Sequence, residues 1–189
     1  MPGFFFRRAT PQDYSAILRL QSENFIANLS EEERKEGFLS AEFSPEQVAS
    51  IAEDLGTTVA TVDGAVVAFL CAFRKEFNTG SPVIAPMLAT YDRVKFGGQS
   101  LESYRSYIYG PVCIQRAYRR RGLLRQLYEA QLNDLAGQFE VGVAFVSCSN
   151  PYSLKAHIAG LGMAEVGDFE LKGSVYVILA FRVPPKSLV

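Results

Sequence analysis

The chain has 189 residues and a net charge of −1, with 48% hydrophobic and 21% charged residues. That is material for one packed domain, and no apolar run approaches the ~20 residues of a membrane span. The balance also argues against a polyanion-binding face, so neither a nucleic acid nor a membrane is expected as a partner.

The first residues, MPGFFFRRAT, place their apolar group before the arginines and read as a first strand over 4–9, not as a signal peptide. A helix is expected from about 12 to 27, an acidic helical stretch over 31–38 and a further helix over 45–54. Thr10-Pro11, Ser44-Pro45, Ser81-Pro82 and Asn150-Pro151 each read as a helix start, a capping side chain followed by a residue whose missing N–H costs nothing there. Ser44 has Gln47 three residues on, a capping-box spacing. TTVATVDGAVVAFLCAF is a hairpin turning at Asp63-Gly64. The segment 74–102 reads as an insertion, with a short helix at Ser81-Pro82 and a loop at Gly97-Gly98.

A strand follows over 104–114, in which Pro111 cannot donate a ladder hydrogen bond, so Gly110-Pro111 marks a bulge or a splayed segment. A helix over 122–136 carries a stripe of Leu124, Leu127, Tyr128, Gln131 and Leu135. Strand 141–147, helix 151–160 and strands 163–170 and 174–182 complete one α/β domain. Cys71, Cys113 and Cys148 lie in apolar runs without metal-type spacing. They read as residues of a reduced, cytoplasmic protein, and no metal is expected.

The charge is unevenly spread. Arg116, Arg119, Arg120, Arg121 and Arg125 surround Gly122, between the end of a strand and the start of a helix, and no acid interrupts them. A helix N-terminus exposes unpaired amides and carries partial positive charge. Glycine permits the torsions of such a turn, and guanidinium groups match phosphate oxygens. The pattern therefore predicts a phosphate-bearing ligand. A solvated basic helix start without a ligand is the plainer alternative, and RNA binding a third. Neither the GxxxxGK[ST] nor the GxGxxG phosphate pattern occurs here.

The stretch resembles the pyrophosphate-binding motif of the GNAT superfamily of acyl-CoA-dependent N-acyltransferases, R/Q-x-x-G-x-G/A. Arg119-Arg120-Arg121-Gly122-Leu123-Leu124 matches its first arginine and its glycine and departs at Leu124. Asn150, His157 and Gly162-Met163 are similar to the family's segment after the fifth strand. The resemblance implies a mixed central sheet of about seven strands flanked by helices, with acetyl-CoA as acyl donor. It implies that amides of Arg120, Arg121, Gly122, Leu123, Leu124 and Arg125 hold the pyrophosphate, that the backbone of Val112, Cys113 and Ile114 pairs with pantetheine, and that Asn150 belongs to the same site. His157 would protonate the departing thiolate as general acid, with Tyr152 as second choice. Taken alone, His157 also fits a hydrogen-bonded core residue and Asn150 a helix cap. No base is identifiable, because tyrosines 104, 107 and 109 read as packing residues. The implied activity is acetyl transfer to a primary amine of a small molecule or amino acid, with a non-catalytic CoA-binding or sensor module as the alternative, and a homodimer left open.

Overall fold

The computed structural model describes residues 3–77 and 80–186, so Asn78 and Thr79 of the 74–102 segment lie outside the described residues. The elements in chain order are β1 (Phe5–Arg8), α1 (Tyr14–Asn24), α2 (Glu31–Arg34), α3 (Pro45–Asp54), β2 (Thr57–Val62), β3 (Ala65–Arg74), α4 (Ile84–Leu88), β4 (Lys95–Phe96), β5 (Gln99–Ser100), β6 (Ser106–Ile114), α5 (Leu123–Leu135), β7 (Val141–Ser147), α6 (Pro151–Lys155), β8 (Ala164–Leu171) and β9 (Ser174–Arg182).

Seven strands form a mixed sheet in the order β1-β2-β3-β6-β7-β9-β8, and β4-β5 form a separate hairpin. Every pair in the large sheet is antiparallel except β6–β7, which α5 joins as a crossover. The β2–β3 turn has positive φ at both Asp63 and Gly64, the torsions that match the twist of paired strands. β3 is buried along nearly its whole length because helices cover both faces. On one face Ile17, Leu20, Ile51 and Met87 pack against Phe69 and Phe73. On the other, Leu123, Leu127 and Leu135 of α5 pack against Leu70, Ala72 and Tyr107.

Several expected boundaries move, each for a local reason. The helix expected over 12–27 is a 3-10 turn at Pro11–Asp13 followed by α1. Its end is set by Leu39, which exchanges backbone hydrogen bonds with Asn24 and Ile26 and draws Phe25 into an extended bridge. The acidic stretch over 31–38 holds only α2, started by a reciprocal cap between Ser30 and Glu33. Ser81-Pro82 does not open a helix directly; α4 begins at Ile84. The loop at Gly97-Gly98 is the turn of the β4–β5 hairpin. The helix over 151–160 is α6 followed by a π-helical turn, Ala156–Gly160.

The central irregularity lies between β6 and β7. They pair only from Ser106 to Ile108 against Val141 to Val143, yet β6 runs on to Ile114 and β7 to Ser147. The strands part where β6 contains a cis Gly110-Pro111 bond and where its register with β3 slips opposite Leu70–Ala72. The expected splayed segment is therefore present, and the wedge between the strands is open to whatever the flanking loops enclose.

Gly142 lies opposite Phe181, and a Cβ there would clash with the Cζ edge of the Phe181 ring. Phe181 packs edge-on against Tyr107, Tyr109 and Tyr128, so the ring has little room to move. Gly142→Ala should destabilise the fold by about 1–3 kcal/mol, as overpacking does. Urea denaturation should show a lower midpoint with an unchanged slope.

Candidate active site

The arginine–glycine turn crosses from β6 to α5. Gly122 caps the helix at φ 79° and ψ 5°, and the preceding Arg120 also has positive φ. A Cβ on Gly122 would meet only ordinary contact with Gln126, so glycine is required there by torsion and not by space. Among the described residues the amides of 120–125 have no protein acceptor; the first intrahelical bond runs from the Gln126 amide to the Gly122 carbonyl. A row of free N–H groups at the positive end of a 13-residue helix is an anion-binding surface.

The guanidinium groups are arranged differently from the sequence expectation. Arg119 borders the larger cavity, but its guanidinium is committed to the protein: it donates to the Asn24 side chain (2.6 Å), the Glu36 carbonyl (3.0 Å) and the Ile114 carbonyl (3.2 Å), and its side chain is only 14% exposed. It is a strut joining α1, the end of the acidic stretch and the end of β6. Arg116 pairs with Glu33 at 2.9 Å, and Arg120 reaches Glu36 at 3.5 Å. Arg121 lies over the Tyr118 ring, and Arg125 bonds the Gly160 carbonyl. The acids missing from the motif's own sequence thus arrive from residues 33–36. The Glu33 carboxyl is held at about 2 by the Ser30 amide, then by Arg116 and the Ser30 hydroxyl.

Two adjoining cavities occupy the wedge. The larger, about 310 Å³, runs over the turn and is lined by Gly122, Leu123, Leu124 and Arg125, by Val112, Cys113 and Ile114, and by Tyr152 of α6. The smaller, about 120 Å³, lies between the parted strands and under residues 38–43. Phe38, Leu39, Val112, Asn150, Ser153 and His157 border both. The structure therefore gathers the sequence-selected residues, Arg121 excepted, around one opening, but not with equal roles. The Gln115 amide bonds the Val67 carbonyl; strand alternation then turns the Cys113 backbone toward β3 and leaves the Val112 backbone facing the wedge. The Ile114 carbonyl is taken by Arg119. Asn150 caps α6 by accepting from the Ser153 amide, and its Nδ2 donates to the Phe38 carbonyl. Both ends of that side chain are committed to the protein, so it pins residue 38 over the opening.

His157 is buried at the boundary of the two cavities. Its Nδ1 lies 2.8 Å from the Ser153 carbonyl. A carbonyl only accepts, so the ring's proton sits on Nδ1 and Nε2 carries a lone pair. Burial lowers the pKa below the usual 6.5, against an opposing effect of the Ser153 bond, and favours the neutral ring. In that form Nε2 accepts a proton, so the ring must first be protonated before it can act as the expected general acid. Tyr152 is exposed, on the larger cavity alone.

Tyr109, expected as a packing residue, also borders the opening. It faces His157 edge-on with ring centres 5.5 Å apart and lines the smaller cavity. Its buried hydroxyl has no partner among the described residues, and burial raises its pKa, so it stays protonated. Its only sequence signal was its place immediately before Gly110-Pro111. Among the described residues no group of three or more His, Cys, Asp or Glu side chains gathers to hold a metal, and no helix is long and apolar enough to cross a membrane.

With this geometry the chain has the fold of the GNAT acetyltransferases. A GNAT-family acetyltransferase from Streptococcus agalactiae superposes with a TM-score of 0.65 at 17% identity, covering 97% of each chain. The ribosomal-protein-S18-alanine N-acetyltransferase of Escherichia coli gives 0.62 at 14% identity, over 98% of this chain and 97% of that one. The protein yncA from Salmonella typhimurium, solved with its cofactor acetyl-CoA, gives 0.62 at 14% identity, over 95% and 94%. No protein-family model and no curated protein sequence matches the chain.

The strut can be separated from the exposed charge by mutation. Arg119→Met strands an Asn24 oxygen and two carbonyls and should cost about 1–3 kcal/mol. Arg120→Ala, at a side chain 74% exposed, should change stability by no more than about 0.5 kcal/mol. Thermal denaturation of the two variants beside the wild type is the check.

Proposed function

We propose that the protein is an N-acetyltransferase of the cytoplasm, carrying an acetyl group from acetyl-CoA to the primary amine of a small molecule. The observation that carries this reading is the run of acceptor-less amides at residues 120–125, opening into a cavity that continues to His157. The fit to the cofactor is favourable: free N–H groups at a helix start suit a diphosphate, and the Val112 backbone faces the wedge where an extended amide chain would pair. Leu124, bulkier than the residue typical of the motif, contributes its amide while its side chain forms cavity wall.

When bound, acetyl-CoA supplies an activated acetyl thioester. The chain's own residues then have three tasks. Amides 120–125, with Arg120 and Arg121 outside them, bind and orient the phosphates. The parted strands admit the acceptor on the other side of His157. Nε2 of His157 takes the proton that the amine nitrogen loses as its bond to the acetyl carbon forms. The resulting imidazolium, disfavoured by burial, returns that proton to the sulfur as the carbon–sulfur bond breaks. One group serves first as base and then as acid, and this accounts for the missing carboxylate.

Acetyl-CoA at a hundred times its dissociation constant should stabilise the protein by ~2.7 kcal/mol, read as a rise in melting temperature. Absence of any rise at millimolar acetyl-CoA overturns the proposal; a rise without thiol release from any amine leaves the non-catalytic CoA-binding module. Turnover should fall roughly 10²–10⁴-fold in His157→Gln with the acetyl-CoA stabilisation retained, whereas Tyr152→Phe should turn over nearly as wild type.

The active ring is neutral and its pKa is depressed, so turnover should stay level as the pH falls to 6.5 and decline only below it. Tyr109 is a titratable group packed against the ring, and its raised pKa keeps it uncharged throughout that range. With an acceptor that is itself uncharged over this range, a decline centred above 6.5 in a pH–kcat profile contradicts the shuttle.

A further inference from the structure

The smaller cavity carries an inference about the acceptor, which rests on the reading of the larger one as the acetyl-CoA site. Its walls include six aromatic side chains, Phe38, Phe43, Phe73, Tyr109, Phe145 and Tyr176, and its described lining contains no Asp, Glu, Lys or Arg. At about 120 Å³ it approaches the roughly 150 Å³ apolar cavity that takes a single benzene ring.

This environment treats two kinds of amine oppositely. An alkylamine, with a pKa near ~10.4, is charged in all but roughly one molecule in 10³ at neutral pH. Bringing that ammonium into an aromatic pocket without an anion costs desolvation that no counter-charge offsets. The aromatic faces could attract a cation, but a cation is not a nucleophile, and His157 can take one proton, not the two that an alkylammonium must shed. An amine attached directly to an aromatic ring is a far weaker base and is neutral at the same pH. It enters without a desolvated charge, packs its ring against aromatic walls, and needs to lose only the one proton that Nε2 accepts. We propose that the acceptor is an arylamine with a single aromatic ring, bound between the parted strands β6 and β7 with its nitrogen toward His157. Carbon–nitrogen bond formation, carbon–sulfur bond cleavage and passage of one proton from nitrogen to sulfur through His157 balance the reaction without another reagent.

The experiment compares acetyl transfer to aniline, cyclohexylamine and benzylamine by the full-length protein, with the melting temperature recorded with and without acetyl-CoA. Cyclohexylamine matches aniline in size but is a strong base; benzylamine keeps the aromatic ring and is also a strong base. Aniline should be preferred over both at neutral pH, by roughly tenfold up to the thousandfold set by the neutral fraction of an alkylamine. This runs against the intrinsic reactivity of the free bases, so solution chemistry cannot mimic it. The aniline rate should not climb between neutral and alkaline pH. Preference for either alkylamine, or turnover of none of the three with the acetyl-CoA stabilisation intact, overturns the arylamine assignment and leaves the cofactor site standing. Loss of that stabilisation itself overturns both.

Discussion

Two strands that pair for three residues and then separate are the constraint on which the rest of this structure depends. β6 and β7 cannot close past Ile108 and Val143, because a proline without an N–H and a slipped register stand where the ladder would continue. The edges so freed are a cost unless something occupies them. The loop over residues 37–43, α6 and the Arg–Gly turn surround the gap and convert it into two connected cavities. His157 stands at their junction because a π-helical turn after α6 carries it there, a distortion often found where a side chain has work to do.

The concentrated positive charge at 116–125 has a divided purpose. Arg119 holds elements together, and Arg116 and Arg120 draw the acidic residues of the 31–36 stretch against the turn. These contacts position the backbone, and the backbone provides the proposed anion site. Such partition is physically sensible: main-chain amides at a helix start are fixed in place, whereas long arginine side chains lose rotamer freedom to reach a ligand. The pairing also explains how five arginines sit close together without strong mutual repulsion.

Much of the sheet was legible in the sequence because its signals are local. The Asp63-Gly64 turn, the proline within β6, the Ser44 cap and the apolar stripe of α5 each act within a few residues, although the stripe begins at the buried Leu123 and not at the expected Leu124. The resemblance around Arg119–Leu124 and Asn150–His157 pointed to the same opening that the fold creates. What was not legible depended on contacts distant in sequence. Nothing near Phe25 says that Leu39 will end α1, and no spacing reveals that Asn24 and Glu36 will engage Arg119. The resting state of His157 was hidden for the same kind of reason, since its tautomer is set by the Ser153 carbonyl and its charge by burial. Tyr109 looked like one of three packing tyrosines until its hydroxyl proved to be without a partner.

The central claim is that the amides of residues 120–125 grip the diphosphate of coenzyme A. Titrating coenzyme A into ¹⁵N-labelled protein and following each backbone amide tests it directly. The account predicts that the largest chemical-shift changes fall on Arg120 through Arg125, with smaller ones at Val112. Saturable binding that leaves those six amides unmoved while perturbing others, or no binding at all, would contradict it.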